Sequence, residues 1–350
     1  MTWLFLLACG GEPARDSAGA TDTSPLGDSS TRVDSGVVDS ASPRDSGGDS
    51  GQGTDTDTAT TPCSVEAVYL DVPDVFPEGV DLDSAGTVYV GSLTTPTLYR
   101  AAPCEEAAEP WVTLQATTHG SVGLLVDEVE GKLWVCTDRV SGSQGPAVEA
   151  FELATGASVG VHPLELASGT CNDLARGSDG GIYVTESGGS DLYRLPPGAG
   201  SEEGLALWTA DTALDAPGGQ YGLNGIVALD GTVVVAGSGL GRLFQVPIGS
   251  DGSAGVVTPV PLDRDLVAPD GLELLGDGRL AVVEGKAQRV ALVDLDSGTV
   301  STLIEDLDFP TTAAARGDDL WVVESQLDHL TGQDPAPAQT PFEVLRFTWR

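Results

Sequence analysis

Oxygen-bearing side chains recur at one position of a phrase that the sequence repeats six times between residue 78 and its end. Each copy has an opening residue, an apolar run, a turn rich in Asp and Gly, and a second apolar run. The six opening residues, 41 to 52 positions apart, are Glu78, Val122, Asn172, Asn224, Asp270 and Thr311. Four of them, Glu78, Asn172, Asn224 and Asp270, carry the carboxylate or amide oxygens that hard cations such as Ca²⁺ prefer as ligands.

The repeats also predict the fold, because periods of this length with several strands per unit are typical of β-propellers. Each unit ends with an outer fourth strand, seen as Trp111–Leu114, Leu205–Trp208 and Thr299–Ile304. We therefore expect an all-β, six-bladed propeller over residues 63–350. The ring would close where Val65–Val72 adds the outer strand to the blade that contains Phe342–Trp349, which leaves no free sheet edge.

This fold would bring the opening residues together. In a propeller the innermost strands run nearly parallel to the central axis, so residues of equal register face one another across the channel. We expect Glu78, Asn172, Asn224 and Asp270 to surround one divalent cation, with Ca²⁺ favoured. Without a cation, Glu78 and Asp270 would repel each other at close range. The pattern contains no Cys/His ligand set for structural zinc.

A metal-free interpretation stays open on the residues alone. Propellers of the NHL type open their blades with a Pro-x-Gly turn and bind protein or RNA without a metal. Glu78-Gly79 and Asp270-Gly271 are compatible with such a turn. Asn172-Asp173 and Asn224-Gly225 are harder to explain as turns, so the four openings together favour a metal site.

The four openings also resemble those of a known family. They are similar to the senescence-marker-protein / gluconolactonase / luciferin-regenerating-enzyme-like propellers, with paraoxonase as a more distant relative. That family opens successive blades with Glu-Gly, Asn-Asp, Asn-Gly and Asp-Gly, and the chain has these pairs in the same order at 78–79, 172–173, 224–225 and 270–271. Sugar-lactone members place an Arg two residues before the Asn-Asp pair, where this chain has Thr170.

The resemblance implies a function and the residues that serve it. Glu78, Asn224 and Asp270 would bind a divalent metal, Asn172 would contact the metal or the substrate, and Asp270 would also act as a base. The expected activity is metal-dependent hydrolysis of a lactone or ester, in which a cation polarises the carbonyl. The alternative is a non-catalytic propeller that binds a protein or glycan at the cell surface, because propellers host both kinds of function.

Further side chains are candidates by position. His119 precedes the second inner strand, at the rim of the expected ring, where it would serve as a base or substrate contact; the alternative is a solvated loop residue without a role. Glu186, Glu284 and Glu324 share a register near the ends of second strands, as supports of the metal site or as exposed strand ends. His162 and His329 lie in connections and receive no role.

The cysteines indicate an oxidising compartment. Behind Cys9, the chain contains Cys63, Cys104, Cys136 and Cys171, an even number that permits two disulfides. Cys136 ends a second strand and Cys171 precedes the next inner strand, so a Cys136–Cys171 bridge is favoured, which leaves Cys63 with Cys104. Buried free thiols are the alternative.

The N-terminal residues predict export rather than a folded core. Leu6 to Cys9 resembles the lipobox of bacterial lipoproteins, with Cys9 as the lipidated residue, although no Lys or Arg precedes the apolar run. A simple secretory signal or an unprocessed N-terminus is the alternative. Residues 10–62 are Asp, Ser, Thr and Gly with few apolar side chains, so we expect a disordered tether.

The charge of the chain narrows the class of partner. The formal net charge is −37, which argues against nucleic acid, because phosphate binding needs a basic surface. Contact with a membrane is expected only through a lipid anchor. We expect a monomer that acts on a small lactone or ester, placed as an outer-membrane or cell-surface lipoprotein, or else periplasmic or secreted.

Overall fold

The computed structural model describes residues 65–115, 120–138, 145–166, 169–218 and 220–350. The predicted signal with Cys9, the tether, Cys63 and His119 lie outside the described residues. Cys63–Arg350 forms one compact unit. Within the described residues, no helix has the length and apolar character needed to cross a membrane.

The unit is a six-bladed β-propeller of four-stranded antiparallel sheets, as predicted. Strand β1 (Ala67–Leu70) belongs to the last blade. Blade one contains β2 (Val80–Leu82), β3 (Val88–Val90), β4 (Thr97–Ala101) and β5 (Glu109–Thr113). Blade two contains β6 (Gly120–Asp127), β7 (Lys132–Asp138), β8 (Ala147–Glu152) and β9 (Ser158–Pro163). Blade three contains β10 (Cys171–Arg176), β11 (Ile182–Glu186), β12 (Leu192–Leu195) and β13 (Ala206–Thr209).

The remaining blades follow the same order from the axis outward. Blade four contains β14 (Leu223–Leu229), β15 (Thr232–Gly237), β16 (Arg242–Pro247) and β17 (Thr258–Pro259). Blade five contains β18 (Leu272–Leu274), β19 (Leu280–Glu284), β20 (Arg289–Asp294) and β21 (Thr299–Ile304). Blade six contains β22 (Pro310–Arg316), β23 (Asp319–Glu324), β24 (Phe342–Thr348) and β1. Helix α1 (Leu327–Thr331) joins β23 to β24, and 3₁₀ turns lie at Thr212–Leu214, Ser238–Leu240 and Gly285–Ala287.

The two ends of the unit close the ring. Strand β1 pairs antiparallel with β24, so that Ala67 lies opposite Leu345 and Leu70 opposite Phe342. The predicted closure is therefore confirmed, and blade six gains its fourth strand from the start of the unit. Because closure depends on pairing between distant segments, the ring resists opening at this blade.

Apolar packing between neighbouring blades stabilises the propeller. Six hydrophobic clusters, one at each junction between adjacent blades, contain nearly all of the buried aliphatic side chains. Strands β11 and β15 are buried on both faces, which explains their continuous apolar sequences. Val, with its branched Cβ, suits this extended and fully covered environment.

A disulfide joins blades two and three. Cys136 on β7 and Cys171 on β10 are fully buried and form a disulfide with a Cα–Cα distance of 5.2 Å. The bond therefore anchors the strand that carries Asn172. Cys104 is also disulfide-bonded, while its predicted partner Cys63 lies outside the described residues.

We expect the double substitution Cys136→Ala/Cys171→Ala to lower the free energy of unfolding by about 3–4 kcal/mol, because the bridge closes a loop of 35 residues and restricts the unfolded chain. Urea unfolding measures the change. Wild-type protein and the double variant unfolding at the same urea concentration, with equal slopes, would contradict this role.

Candidate functional site

The pairing between inner and second strands is irregular at several of the opening residues. In blades two, three, four and six, the register between the inner and second strands shifts at the opening position. In blade three the shift lies between Cys171 and Leu174, and it therefore contains Asn172 and Asp173. A bulge twists the strand and redirects side chains, whereas β2 and β18, which follow Glu78 and Asp270, pair with their second strands without a shift.

The glycines that follow the opening residues reflect the tight convergence of inner strands. A Cβ atom on Gly79 would lie 2.2 Å from the carbonyl oxygen of Val122 in blade two. On Gly225 it would lie 2.5 Å from the carbonyl oxygen of Asp270 in blade five. No side chain fits at such distances. The Glu-Gly and Asn-Gly pairs thus combine a functional side chain with a residue that lets the next blade approach.

Hydrogen bonds between blades hold the opening residues in place. The Gly225 N–H donates to the Asp270 carbonyl at 3.1 Å, and the Gly271 N–H donates to the Thr311 carbonyl at 2.9 Å. The Thr311 hydroxyl donates to the Glu78 carbonyl at 3.0 Å. A continuous chain of bonds therefore runs from blade four to blade one and leaves the side chains of Glu78 and Asp270 free to face the axis.

The structure brings three of the four predicted ligands into mutual contact or close electrostatic range. The Asn224 side chain lies close enough to the Asp270 carboxylate to lower its pKa, and the Asp270 charge raises the pKa of Glu78. Asn172 is buried at the equivalent position in blade three, but its side chain forms no hydrogen bond with these residues. The charge of its neighbour Asp173 acts on both Glu78 and Asp270.

We name Glu78, Asn224 and Asp270 the axial site. Its surroundings disfavour the ionised form of both carboxyl groups. Burial raises the pKa of Glu78 well above its usual value, and the charges of Asp270 and Asp173 add to the effect. Burial also raises the pKa of Asp270 to about 8, with a further contribution from Asp173. The Asn224 hydrogen bond and the Lys286 charge oppose this rise. A site of this kind favours the binding of a proton or a cation.

A second group of carboxylates comes from every other blade, and each of them bonds the inner strand of the adjacent blade. Asp81 of blade one accepts from the Val126 N–H at 2.6 Å, and Asp173 of blade three accepts from the Ile226 N–H at 3.1 Å. Glu273 of blade five accepts from the Ala315 N–H at 3.1 Å. Blades one, three and five therefore each use one acid to hold the inner strand of the next blade.

These three acids, Asp81, Asp173 and Glu273, line a channel cavity of about 210 Å³ between the inner strands. Burial raises the pKa of Asp81 and of Asp173 to about 7 each, against the lowering effect of backbone hydrogen bonds. Burial raises the pKa of Glu273 well above its usual value, with added repulsion from Asp81. Sequence reasoning missed them as a group, although Asp81 and Glu273 stand out as acids three residues after Glu78 and Asp270 within apolar strands.

The three glutamates at the ends of second strands support the loops that lead to the axis. Glu186 accepts from the Thr170 N–H at 2.9 Å, and Glu324 accepts from the Asp308 N–H at 2.9 Å. Glu284 accepts from the Val267 N–H at 2.6 Å and forms ion pairs with Arg264 and Arg289.

Each of these glutamates holds a loop residue two or three positions before an opening residue. Glu186 and Glu284 are almost fully buried, which corrects the alternative of exposed strand ends for these two.

His162 is buried and packs as part of the protein core. Its ring lies 5.6 Å from that of Trp134, and its Nδ1 lies 2.8 Å from the Glu203 carbonyl oxygen. Burial lowers its pKa, so the ring stays neutral near pH 7. His162 lies on strand β9, so the prediction that it belongs to a connection was wrong.

Solved structures share this architecture at low sequence identity. Regucalcin from Agrobacterium tumefaciens, described as a calcium-binding protein, is 18% identical, with 82% of this chain and 95% of regucalcin covered and a TM-score of 0.59. Luciferin-regenerating enzyme is 15% identical, covering 81% and 95% of the two chains with a TM-score of 0.56. Virginiamycin B lyase from Staphylococcus aureus is 12% identical, covering 81% and 98% with a TM-score of 0.54.

The chain has the six-bladed propeller fold of these proteins. The resemblance seen in the opening motifs is thereby confirmed at the level of the fold, since regucalcin and luciferin-regenerating enzyme are among the similar structures. No protein-family model matches the chain, and no curated protein matches it by sequence. At identities of 12 to 18%, the likeness extends to architecture, and the chemistry must be argued from the residues themselves.

We expect Asp81→Asn to raise the free energy of unfolding by roughly 1–3 kcal/mol at pH 8 in the presence of a chelator. Native Asp81 holds its proton up to a pKa of about 7, whereas the unfolded chain releases it near pH 4. The native state is therefore penalised as the pH rises through this window. The amide oxygen of Asn still accepts from the Val126 N–H without ionising, so the variant should lose less stability between pH 4 and pH 8.

Urea unfolding at several pH values tests this prediction. Asp277→Asn is the control, because Asp277 is paired with Arg279 at 2.7 Å and its pKa is lowered, so its removal brings no gain at pH 8. Equal slopes of stability against pH for wild type and Asp81→Asn would show that Asp81 is not under electrostatic stress.

Proposed function

We propose that this propeller is a divalent-metal-dependent hydrolase of a lactone or ester. The observation that carries the proposal is the chain of hydrogen bonds between blades that brings buried Glu78 and partly buried Asp270 to the same end of the inner strands, where the pKa of each carboxyl is raised. Two buried like charges are unfavourable unless a cation or protons compensate them. An acid pair at the axis, held by bonds between blades, supports a site built for a cation.

The donor set fits a hard cation. Glu78, Asn224 and Asp270 would hold the ion, and the buried Asn172 at the equivalent register would complete the set or contact the substrate. All of these donors are oxygens, which suits Ca²⁺. Regucalcin, one of the similar structures, is described as calcium-binding, and this supports the choice of ion.

The residues of the chain would perform the proton transfer. A bound divalent cation supplies polarisation of a carbonyl group and stabilisation of an oxyanion. Asp270 would accept a proton from water as the water oxygen bonds to the acyl carbon, and the acyl–oxygen bond then breaks. Protonated Asp270 returns that proton to the released alkoxide, which regenerates the base and gives an acid and an alcohol, joined in one molecule when the substrate is a lactone. A base must be ionised to act, and the Lys286 charge favours ionised Asp270.

The substrate need not be a sugar acid lactone. Thr170 occupies the position of the family's substrate-binding Arg, and its N–H is committed to Glu186. The proposal is therefore limited to lactones and esters as a class, with recognition of the acyl group at the axial site.

We expect a panel of lactones and aryl esters to identify turnover that needs Ca²⁺ and is lost in a chelator. Asp270→Asn should lower kcat by about 10²–10⁴-fold, because it removes the base. Glu78→Gln should chiefly weaken cation binding, because it removes one charge and keeps the shape. Asp277→Asn, an exposed acid outside the site, is the control with unchanged turnover.

Product analysis separates hydrolysis from other chemistry. Because virginiamycin B lyase has the same fold, the products are analysed by mass spectrometry for the addition of one water molecule. Full activity in Asp270→Asn, or calorimetry that detects no cation binding by the folded protein, would reject the hydrolase. A non-catalytic propeller that binds a protein or glycan would then be the better description.

We further propose that the chain is exported and lipidated at Cys9. The buried Cys136–Cys171 bond supports an oxidising compartment, and the Leu6 to Cys9 pattern supports lipid attachment. After expression in a bacterium, the intact mass should include a lipid group and the protein should enter the detergent phase, whereas Cys9→Ser should stay in the aqueous phase. An unmodified Cys9 in the wild-type protein would argue instead for a soluble exported form.

A further inference from the structure

A second set of metal-ligand side chains lies outside the axial site. One residue is in the connection between β21 and β22, and two are on helix α1. One ligand atom from each of Asp308, Asp328 and His329 lies within 4.8 Å of the other two. All three residues are partly buried. We propose that they form a binding site for a divalent transition metal such as Zn²⁺, named here the rim site.

The imidazole of His329 is prepared to bind a metal. Its Nδ1 lies 2.9 Å from the carbonyl oxygen of Ala336, and because a carbonyl can only accept, Nδ1 carries the proton. Nε2 then keeps its lone pair and has no hydrogen-bond partner among the described residues. The side chain is only 10% exposed. A nearly buried imidazole, oriented by a backbone carbonyl and with one free nitrogen, is the usual state of a histidine ligand.

The two aspartates lack compensating charge. Among the described residues, neither Asp308 nor Asp328 forms an ion pair with a Lys or Arg, and the ion pair of His329 is with Asp334, at 3.9 Å. Burial raises the pKa of Asp308, and the Asp328 charge adds to the rise. One ring nitrogen of His329 and one carboxylate oxygen of each aspartate lie within 4.8 Å of one another. Small side-chain rotations would bring the three groups onto one ion.

The ligand chemistry distinguishes the rim site from the axial site. One imidazole nitrogen with two carboxylates suits Zn²⁺ or Mn²⁺, whereas Ca²⁺ prefers a shell of oxygens. The axial site contains no histidine among its described residues. The two sites should therefore select different ions, and the rim site stands whether or not the axial site is catalytic.

A metal at the rim site would join two loops that already touch. Asp308 lies before β22, and its carbonyl accepts from the Gln326 N–H at 3.3 Å, next to α1. Asp328 and His329 belong to α1, between β23 and β24. Strand β22 then carries Thr311, whose hydroxyl holds the carbonyl of Glu78. The bound ion would thus stabilise the approach of blade six to the axis.

The test is Zn²⁺ titration by calorimetry of the full-length, untagged protein after treatment with a chelator. We expect one equivalent of Zn²⁺ to bind, and to bind also in Asp270→Asn, which alters only the axial site. His329→Gln and Asp308→Asn should each weaken Zn²⁺ binding by at least about 10-fold. Zn²⁺ should raise the Tm of the wild type and leave that of His329→Gln unchanged.

Glu305→Gln is the matched control, because Glu305 is exposed in the connection that carries Asp308 and the change removes the same charge. It should bind Zn²⁺ as the wild type does. Circular dichroism verifies folding, and if His329→Gln does not fold, Asp308→Asn decides the question. Unchanged Zn²⁺ affinity in both ligand variants, or no stoichiometric binding by the folded wild type, would overturn the proposal.

Discussion

The close approach of six inner strands to one axis is the constraint on which the other features depend. It leaves no room for side chains at Gly79 and Gly225, where a Cβ would meet the backbone of the next blade. It also brings the polar residues at the start of the inner strands, such as Glu78 and Asp270, into a small volume with few positive charges. Backbone geometry therefore decides both the packing of the blades and the electrostatic character of the channel.

Two groups of acids in the channel differ in how their oxygens are bonded. Along its length, Asp81, Asp173 and Glu273 each receive a backbone N–H from the next blade, so their oxygens serve as links between sheets. At its opening, Glu78 and Asp270 have one amide partner between them, from Asn224. The backbone donors link the first group between blades but do not cancel the cost of its burial, because the pKa values of all three acids stay raised; the second group is where we propose that a cation binds.

The axial site depends on supports that do not touch the axis. Glu186, Glu284 and Glu324 fix the loops before three inner strands, and the Cys136–Cys171 bond fixes a fourth point. A site needs such support because a ligand set that moves loses its affinity and its orientation. The rim site, if occupied by a metal, would extend the same principle to blade six.

The sequence by itself determined the architecture, because repeats of similar length encode similar blades and the unpaired ends must pair with each other. It also predicted that Glu78, Asn172, Asn224 and Asp270 would converge, since equal register near an axis implies proximity, and the electrostatic coupling of Glu78 with Asp270 agrees with this for those two. Only the tertiary structure decided which neighbours these residues have. The link from Asp81 to Val126 and the grouping of Asp308 with His329 depend on contacts between segments that are not adjacent in sequence. Local patterns carry no information on such contacts, because bulges and loop supports set the direction of each side chain only after the blades have packed.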